Sequence, residues 1–522
     1  MHEARHGQPL SSELLLLVGA GEGTPVLPAS GEQQRRPIGV VLADEASSVA
    51  AKPAAGSRWC FSDAVESDPA GRDFARSTDC CTLRWTPAKG RHATATREIS
   101  RGRVILRASA AAVASTAASG AATALLAESS GRDGAAASAD AQRVGLDAST
   151  LALSLELLRS GREAAEEAAG SLLTHREHLS AAEAEAWERT AQRLRSAAAS
   201  SGGSGCSCAS GWSDEAVLRL LLAVHANAHP VLDDATASRT VGLGLFPAAC
   251  LLNHSCAPTG VLSFEAGGKV LVVRALVDLR RGQEVTYSYL DEPHLFAPWR
   301  QRRALLRAAH RYEPSQPRSR EESEAAALCR SRLPAAALGE LEAEVRALCS
   351  EAAAAAEEAE EAAARGDGPL APSAEERLGS ACEAVHSLLE GRLLQAAHPA
   401  HWLAHDCLAA LSRAARALGD PERLAYASMR LIAAREQVMP LGTPGLATLY
   451  ASHGSALVRL LRAGRFSAAG SAEALGQAEQ SLAAACSIRA SCLGDEHPLV
   501  AATARALADV RQRRRQRAGG AT

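Results

Sequence analysis

The sequence predicts an α+β chain: a small β-core with a helical insertion, followed by an all-α domain of helical repeats. Three observations point there. Short strand-type runs fall at Thr94–Ile99, Val104–Leu106, Gly260–Phe264 and Val270–Ala275, each bounded by turn residues. Between them, residues 147–200 are rich in Ala, Glu, Leu and Arg, the strong helix formers. From about 375 to 515 the text is helix after helix, with breaks at Gly391, Gly419–Pro421, Gly442–Pro444, Gly464 and Gly494–Pro498.

A chain of 522 residues is too long for one ordinary core. Residues 1–85 mix Pro, Gly, Ser and Arg without periodicity and read as a poorly ordered N-terminal segment. Gly19, Gly21 and Gly23 look like a nucleotide loop only on the surface, since no strand–helix unit surrounds them. Thr94–Ile99 and Val104–Leu106, split by Ser100-Arg-Gly102, read as a hairpin. Residues 108–145 are Ala/Ser/Gly-rich with little to bury and read as an insertion or linker. After the Ser/Gly spacer at 200–210, Ser213 is a candidate N-cap for a helix through Val217–Val224. Gly267-Gly268 joins the next two strands. Residues 299–310 form a basic helix. Residues 319–373 are an Ala/Glu-rich helix and linker, and 375–515 are stacked helical hairpins.

Composition narrows the classes. There are 56 basic and 59 acidic residues, so no global basic field argues for direct nucleic-acid contact. No stretch reaches the ~18 apolar residues of a membrane helix, and no membrane association is expected. The 13 cysteines are scattered and odd in number, which suits a reducing compartment, cytoplasm or nucleus. The close pairs Cys80–Cys81 and Cys206–Cys208 lack zinc-finger spacing, so no metal site is expected.

The chemistry concentrates in three pieces. The first is Val241-Gly-Leu-Gly-Leu-Phe-Pro247. The second is Leu251-Leu-Asn253-His254-Ser255-Cys256-Ala-Pro258. The third is Arg281-Gly-Gln-Glu284-Val-Thr286-Tyr287-Ser-Tyr289-Leu-Asp291. An Asn-His-Ser-Cys quartet after an apolar run needs partners for every polar atom. His and Cys together could mark a nucleophile pair, but neighbours in a strand or turn rarely align for that task. A metal reading lacks further ligands nearby. Polar residues gripping a ligand fit better, and a plain turn motif remains open.

Together these pieces resemble the SET domain, most closely that of the SET-and-MYND family of protein-lysine methyltransferases. The resemblance adds Gly90-Arg-His-Ala-Thr-Ala as the first cofactor loop and Asn227-Ala-His229 for the family's Asn-x-Phe. It likens the C-terminal helices to the family's tetratricopeptide-like domain. It implies S-adenosylmethionine as cofactor, contacted by Asn227, Asn253, His254 and the backbone at Cys250, with Tyr312 near its adenine. It implies Tyr289 as the catalytic tyrosine and Tyr287 in the lysine channel. The implied partner is a protein bearing a target lysine, with a further protein on the helical repeats. Two features depart from the family. No cysteine lies between Cys81 and Cys206, leaving no MYND finger, and the post-SET cysteines are missing around 310–316, leaving Cys256 as a buried thiol. The alternative is a catalytically weak SET fold that binds proteins through its helical repeats.

Overall fold

The computed structural model describes residues 69–519, apart from 88, 130–138, 142, 201–210, 234–236, 238, 311, 313–327, 366–370 and 440. The glycine cluster at 19–23, most of the N-terminal segment, the Cys206–Cys208 pair and the spacer around it lie outside the described residues.

Three small sheets form the β-core. The first runs β1 (Cys81–Thr86), β2 (Gly90–Ala95), β10 (Glu284–Tyr287) and β7 (Asn253–His254). The second is β3 (Val104–Ser109), β9 (Val270–Ala275) and β8 (Gly260–Glu265). The third is β4 (Ala112–Ser115), β6 (Thr240–Leu245) and β5 (His229–Leu232). Among the described strands only the β7–β10 pair is parallel, with Asn253 opposite Thr286 and His254 opposite Tyr287. The β8–β9 hairpin forms as its Gly267-Gly268 turn predicts. Both glycines take positive φ, 67° and 82°, where an L side chain is strained.

The expected hairpin between Thr94–Ile99 and Val104–Leu106 does not form. Strand β2 pairs with β1 and β10, whereas β3 pairs with β9. Ile99 instead exchanges backbone hydrogen bonds with Leu279, so Ser100-Arg-Gly102 turns the chain out of one sheet and into another. Residues 69–85 also depart from the expected disorder: a helix at Pro69–Ser77 buries Phe74, and β1 completes the first sheet. The Ala/Ser/Gly tract holds β4 and a helix at Thr116–Ser129. Gly242 of β6 lets the two backbones approach closely there; a Cβ on it would meet the Ala114 carbonyl oxygen at 2.4 Å.

Helix Ala148–Arg159 packs on β4 and β6, and helices Arg162–Ala169 and Ala181–Ser200 pack against it. Helix Asp214–Asn227 begins where expected, with the Ser213 hydroxyl accepting from the Ala216 N–H. It buries Val217, Leu218, Leu220, Leu221 and Val224 and ends at Asn227, beside the site.

The C-terminal region is a stack of helices at Ala335–Arg365, Pro372–Leu388, Trp402–Leu418, Pro421–Val438, Pro444–Arg462, Ala468–Leu493 and Pro498–Gly519. Most breaks fall at the expected residues. Gly419 takes φ 75°, and Asp420 caps the next helix through the Glu422 and Arg423 N–H groups. Thr443 caps the helix from Pro444 in the same way. Gly391 is an exception: it sits in a π-turn that continues its helix, and the chain turns instead at 397–401. No helix of the described residues is long and apolar enough to cross a membrane.

Candidate active site

The parallel β7–β10 pair sets the site. It places the Asn253–Cys256 turn beside the strand that carries Tyr287 and leads into Tyr289. The Tyr289 N–H donates to His254 Nδ1 at 2.9 Å, so the neutral ring carries its proton on Nε2, 3.3 Å from Cys256 Sγ. Burial holds His254 well below its ordinary range, to about 4, with His310 and Arg302 adding to the effect. Cys256 is half-buried rather than buried, and burial still pushes its thiol up.

Tyr289 is the hub. Its hydroxyl donates to the Leu252 carbonyl at 2.9 Å. Its ring lies 5.0 Å from Tyr287, 5.0 Å from His310, 5.3 Å from His254 and 6.1 Å from Tyr312. Burial raises its pKa well above the usual phenol value, so the phenol stays protonated at neutral pH. The Tyr287 hydroxyl faces His229 Nε2 at 3.1 Å, and burial raises its pKa too. His229 packs edge-on against Phe246 at 5.9 Å, and Phe246 packs against Phe264. The result is an aromatic-walled region running from Phe264 to Tyr312.

The polar side is built by two asparagines. Asn227 Nδ2 donates to the Leu173 and Ala223 carbonyls, both at 2.8 Å. Asn253 Nδ2 donates to the Lys89 carbonyl at 3.3 Å and to Glu284 Oε1 at 3.1 Å. These donors settle both amide orientations and leave each Oδ1 as an acceptor that no described protein donor reaches. Lys89 Nζ holds the other Glu284 oxygen at 2.8 Å. Cys250 is pushed up to about 12 by burial, and its thiol donates to the Asn227 and Phe246 carbonyls.

The structure therefore gathers Asn253, His254, Tyr287, Tyr289 and Tyr312 in one place, with Asn227 and Cys250 linked to each other at its edge. Sequence reasoning gave no role to His229, His310 or Glu284. His229 was visible only as the residue standing where the resemblance has Phe, and His310 only as part of a stretch without cysteine. Neither carries a local signal, because each reaches the tyrosines through the tertiary fold.

Residues 90–290 match the SET domain family. Histone-lysine N-methyltransferase ASHR1 of Arabidopsis thaliana is 42% identical over 65 residues, 12% of this chain and 13% of that protein. N-lysine methyltransferase SMYD2-B of Danio rerio is 39% identical over 77 residues, 15% of this chain and 17% of that protein. Histone-lysine N-methyltransferase SMYD3 of Homo sapiens is 40% identical over 73 residues, 14% of this chain and 16% of that protein. These matches thus span less than a fifth of the relatives' length. A crystal structure of the SET domain of LSMT bound to lysine and AdoHcy aligns over 86% of this chain and 95% of that one, at 12% identity and TM-score 0.32, too loose a likeness to argue from. Residues 90–290 of this chain are a SET domain.

Proposed function

We propose that this chain transfers a methyl group from S-adenosylmethionine to a lysine side chain of a protein. The observation that carries the reading is Tyr289: a protonated, half-buried phenol, anchored to the Leu252 carbonyl and ringed by Tyr287, His254, His310 and Tyr312.

The residues present fit the cofactor. The unengaged Oδ1 atoms of Asn227 and Asn253, with the Glu284 carboxylate beside the latter, suit the ammonium of an amino-acid moiety. Tyr312, 5.7 Å from the His254 ring, offers an aromatic face to a planar base. When bound, the cofactor supplies an electrophilic methyl on a sulfonium, so no strong acid or base is required of the protein. What remains is orientation. Tyr287, His229 and Phe246 form an apolar wall, and desolvation there favours the neutral amine over the ammonium. Because the Tyr289 proton is committed to Leu252, the phenol oxygen keeps its lone pairs for the reacting groups. The described cysteines are all free thiols, which supports a reducing compartment, cytoplasm or nucleus.

Calorimetry with S-adenosylhomocysteine tests the reading. Wild-type chain should bind one equivalent, and Asn253→Ala should weaken binding by about 1–3 kcal/mol. No heat with either S-adenosylmethionine or S-adenosylhomocysteine would end the enzyme reading and leave the helical repeats as the working surface.

A further inference from the structure

A different cluster lies in the loop between helices Arg162–Ala169 and Ala181–Ser200. There the 3-10 turn Arg176–His178 follows His175, which takes left-handed φ 51°, ψ 23°. The turn brings the His175 and His178 rings to 6.1 Å, nearly parallel at 29°. Glu177 lies between them in sequence, with its Oε1 3.6 Å from His178 Nε2. Among the described residues, these three side chains put one ligand atom each within 4.8 Å of one another. Arg176, the cation within the cluster, is directed to Glu215 and Glu188.

We propose that His175, Glu177 and His178 bind a divalent transition-metal ion, zinc by preference, with water completing the coordination. Two imidazoles and one carboxylate suit zinc, nickel or copper, whereas calcium and magnesium want oxygen ligands throughout. Ligand atoms around a tetrahedral zinc, each at about 2.0–2.2 Å, lie about 3.3 Å apart. One pair here is already at 3.6 Å, and Glu177 and His178 are exposed, so rotamer changes can close the remainder. The expectation of no metal rested on cysteine spacing and does not reach a site built from histidine and glutamate.

The position gives the ion a purpose. The same loop supplies the Leu173 carbonyl to Asn227 at 2.8 Å and the Ser171 carbonyl to Arg91 at 3.4 Å. An ion at 175–178 would pin the segment that orients both residues. The metal proposal does not depend on the methyltransferase reading, and its test needs no methyl transfer.

The full chain, stripped with a chelator, is titrated with Co(II) and then with zinc in competition with a chromogenic chelator, beside His178→Ala and Glu177→Gln. The expected result is one zinc-displaceable Co(II) with ligand-field bands and no intense thiolate charge-transfer band. Both variants should weaken binding, His178→Ala by about tenfold or more, with unchanged circular dichroism. No bound metal, a thiolate charge-transfer band, or equal binding by wild type and His178→Ala would each overturn the proposal.

Discussion

Glu292 Oε1 accepts a hydrogen bond from Arg435 at 2.5 Å, tying the end of the SET region to the helical stack. Glu292 also accepts from the Thr443 hydroxyl and the Gly445 N–H. The Arg435 guanidinium lies over the Phe296 ring at 4.8 Å, and its Nε donates to His405, whose ring stacks on Phe296. Burial pushes Arg435 below its ordinary range, with Glu292 opposing that shift. Glu292→Ala strands a buried cation and should cost about 3–5 kcal/mol in chemical denaturation. Replacing both partners by Met should cost less than that single change. If Glu292→Ala unfolds at the wild-type midpoint, the contact contributes nothing to docking the two regions.

Tyr289→Phe removes one hydroxyl and almost no volume. The fold should survive, and S-adenosylhomocysteine affinity should change little. On the proposed methyltransferase reading, labelled-methyl transfer by the wild-type chain to a lysine-rich protein mixture should fall by about tenfold or more in the variant, since each ~1.4 kcal/mol of barrier is a factor of ten. Equal rates would place the amine-orienting group elsewhere.

Acid should loosen the aromatic centre before it touches most carboxylates. Burial depresses His229, His254 and His310 to about 4 in the folded chain, against about 6.5 when unfolded. A depressed histidine means that the unfolded chain binds more protons between those two values. Stability is then full above about pH 6.5 and falls as the pH drops towards 4. Each histidine contributes at most about 1.4 kcal/mol per pH unit in that window. Melting temperatures measured from pH 7 to pH 4.5 should fall, and His229→Phe should flatten the decline. A flat profile in wild type would mean that these rings are hydrated.

Gly268→Ala should destabilise the β8–β9 turn. A Cβ there would meet Val231 Cγ1 at 2.2 Å, and φ is 82°. Strain and overlap together should cost about 1–3 kcal/mol. The companion Gly267→Ala carries the φ strain, but its Cβ would meet no described atom within 4 Å, so it should cost less. Equal effects on thermal unfolding would show that Val231 moves aside freely.

How far the sequence could be read depended on where each signal resides. The quartet at 253–256 and the tyrosines at 287 and 289 are dense local patterns, and the structure brings them together. Capping is also local, so Ser213 was readable as a helix start, and the breaks at Gly419–Pro421 and Gly442–Pro444 were readable from their Gly and Pro, with Asp420 and Thr443 serving as the caps. Strand pairing is not local: β2 and β3 are adjacent in sequence yet belong to different sheets. Strand β1 does alternate, with Cys81, Leu83 and Trp85 apolar between Thr82, Arg84 and Thr86, but the run is short, only half-buried, and follows a long tract without periodicity. Alanine hid β4 and its following helix, since alanine suits either face and either period.

The two-residue ladder between β7 and β10 has a consequence for how the protein comes into being. His254 and Tyr289 are 35 positions apart and meet only through that ladder and the hairpin enclosed between them. Neither half is a site by itself. A ribosome must release the whole span through Tyr289 before the proposed site can form. Competence here is all-or-none, a property of closure rather than of any single residue.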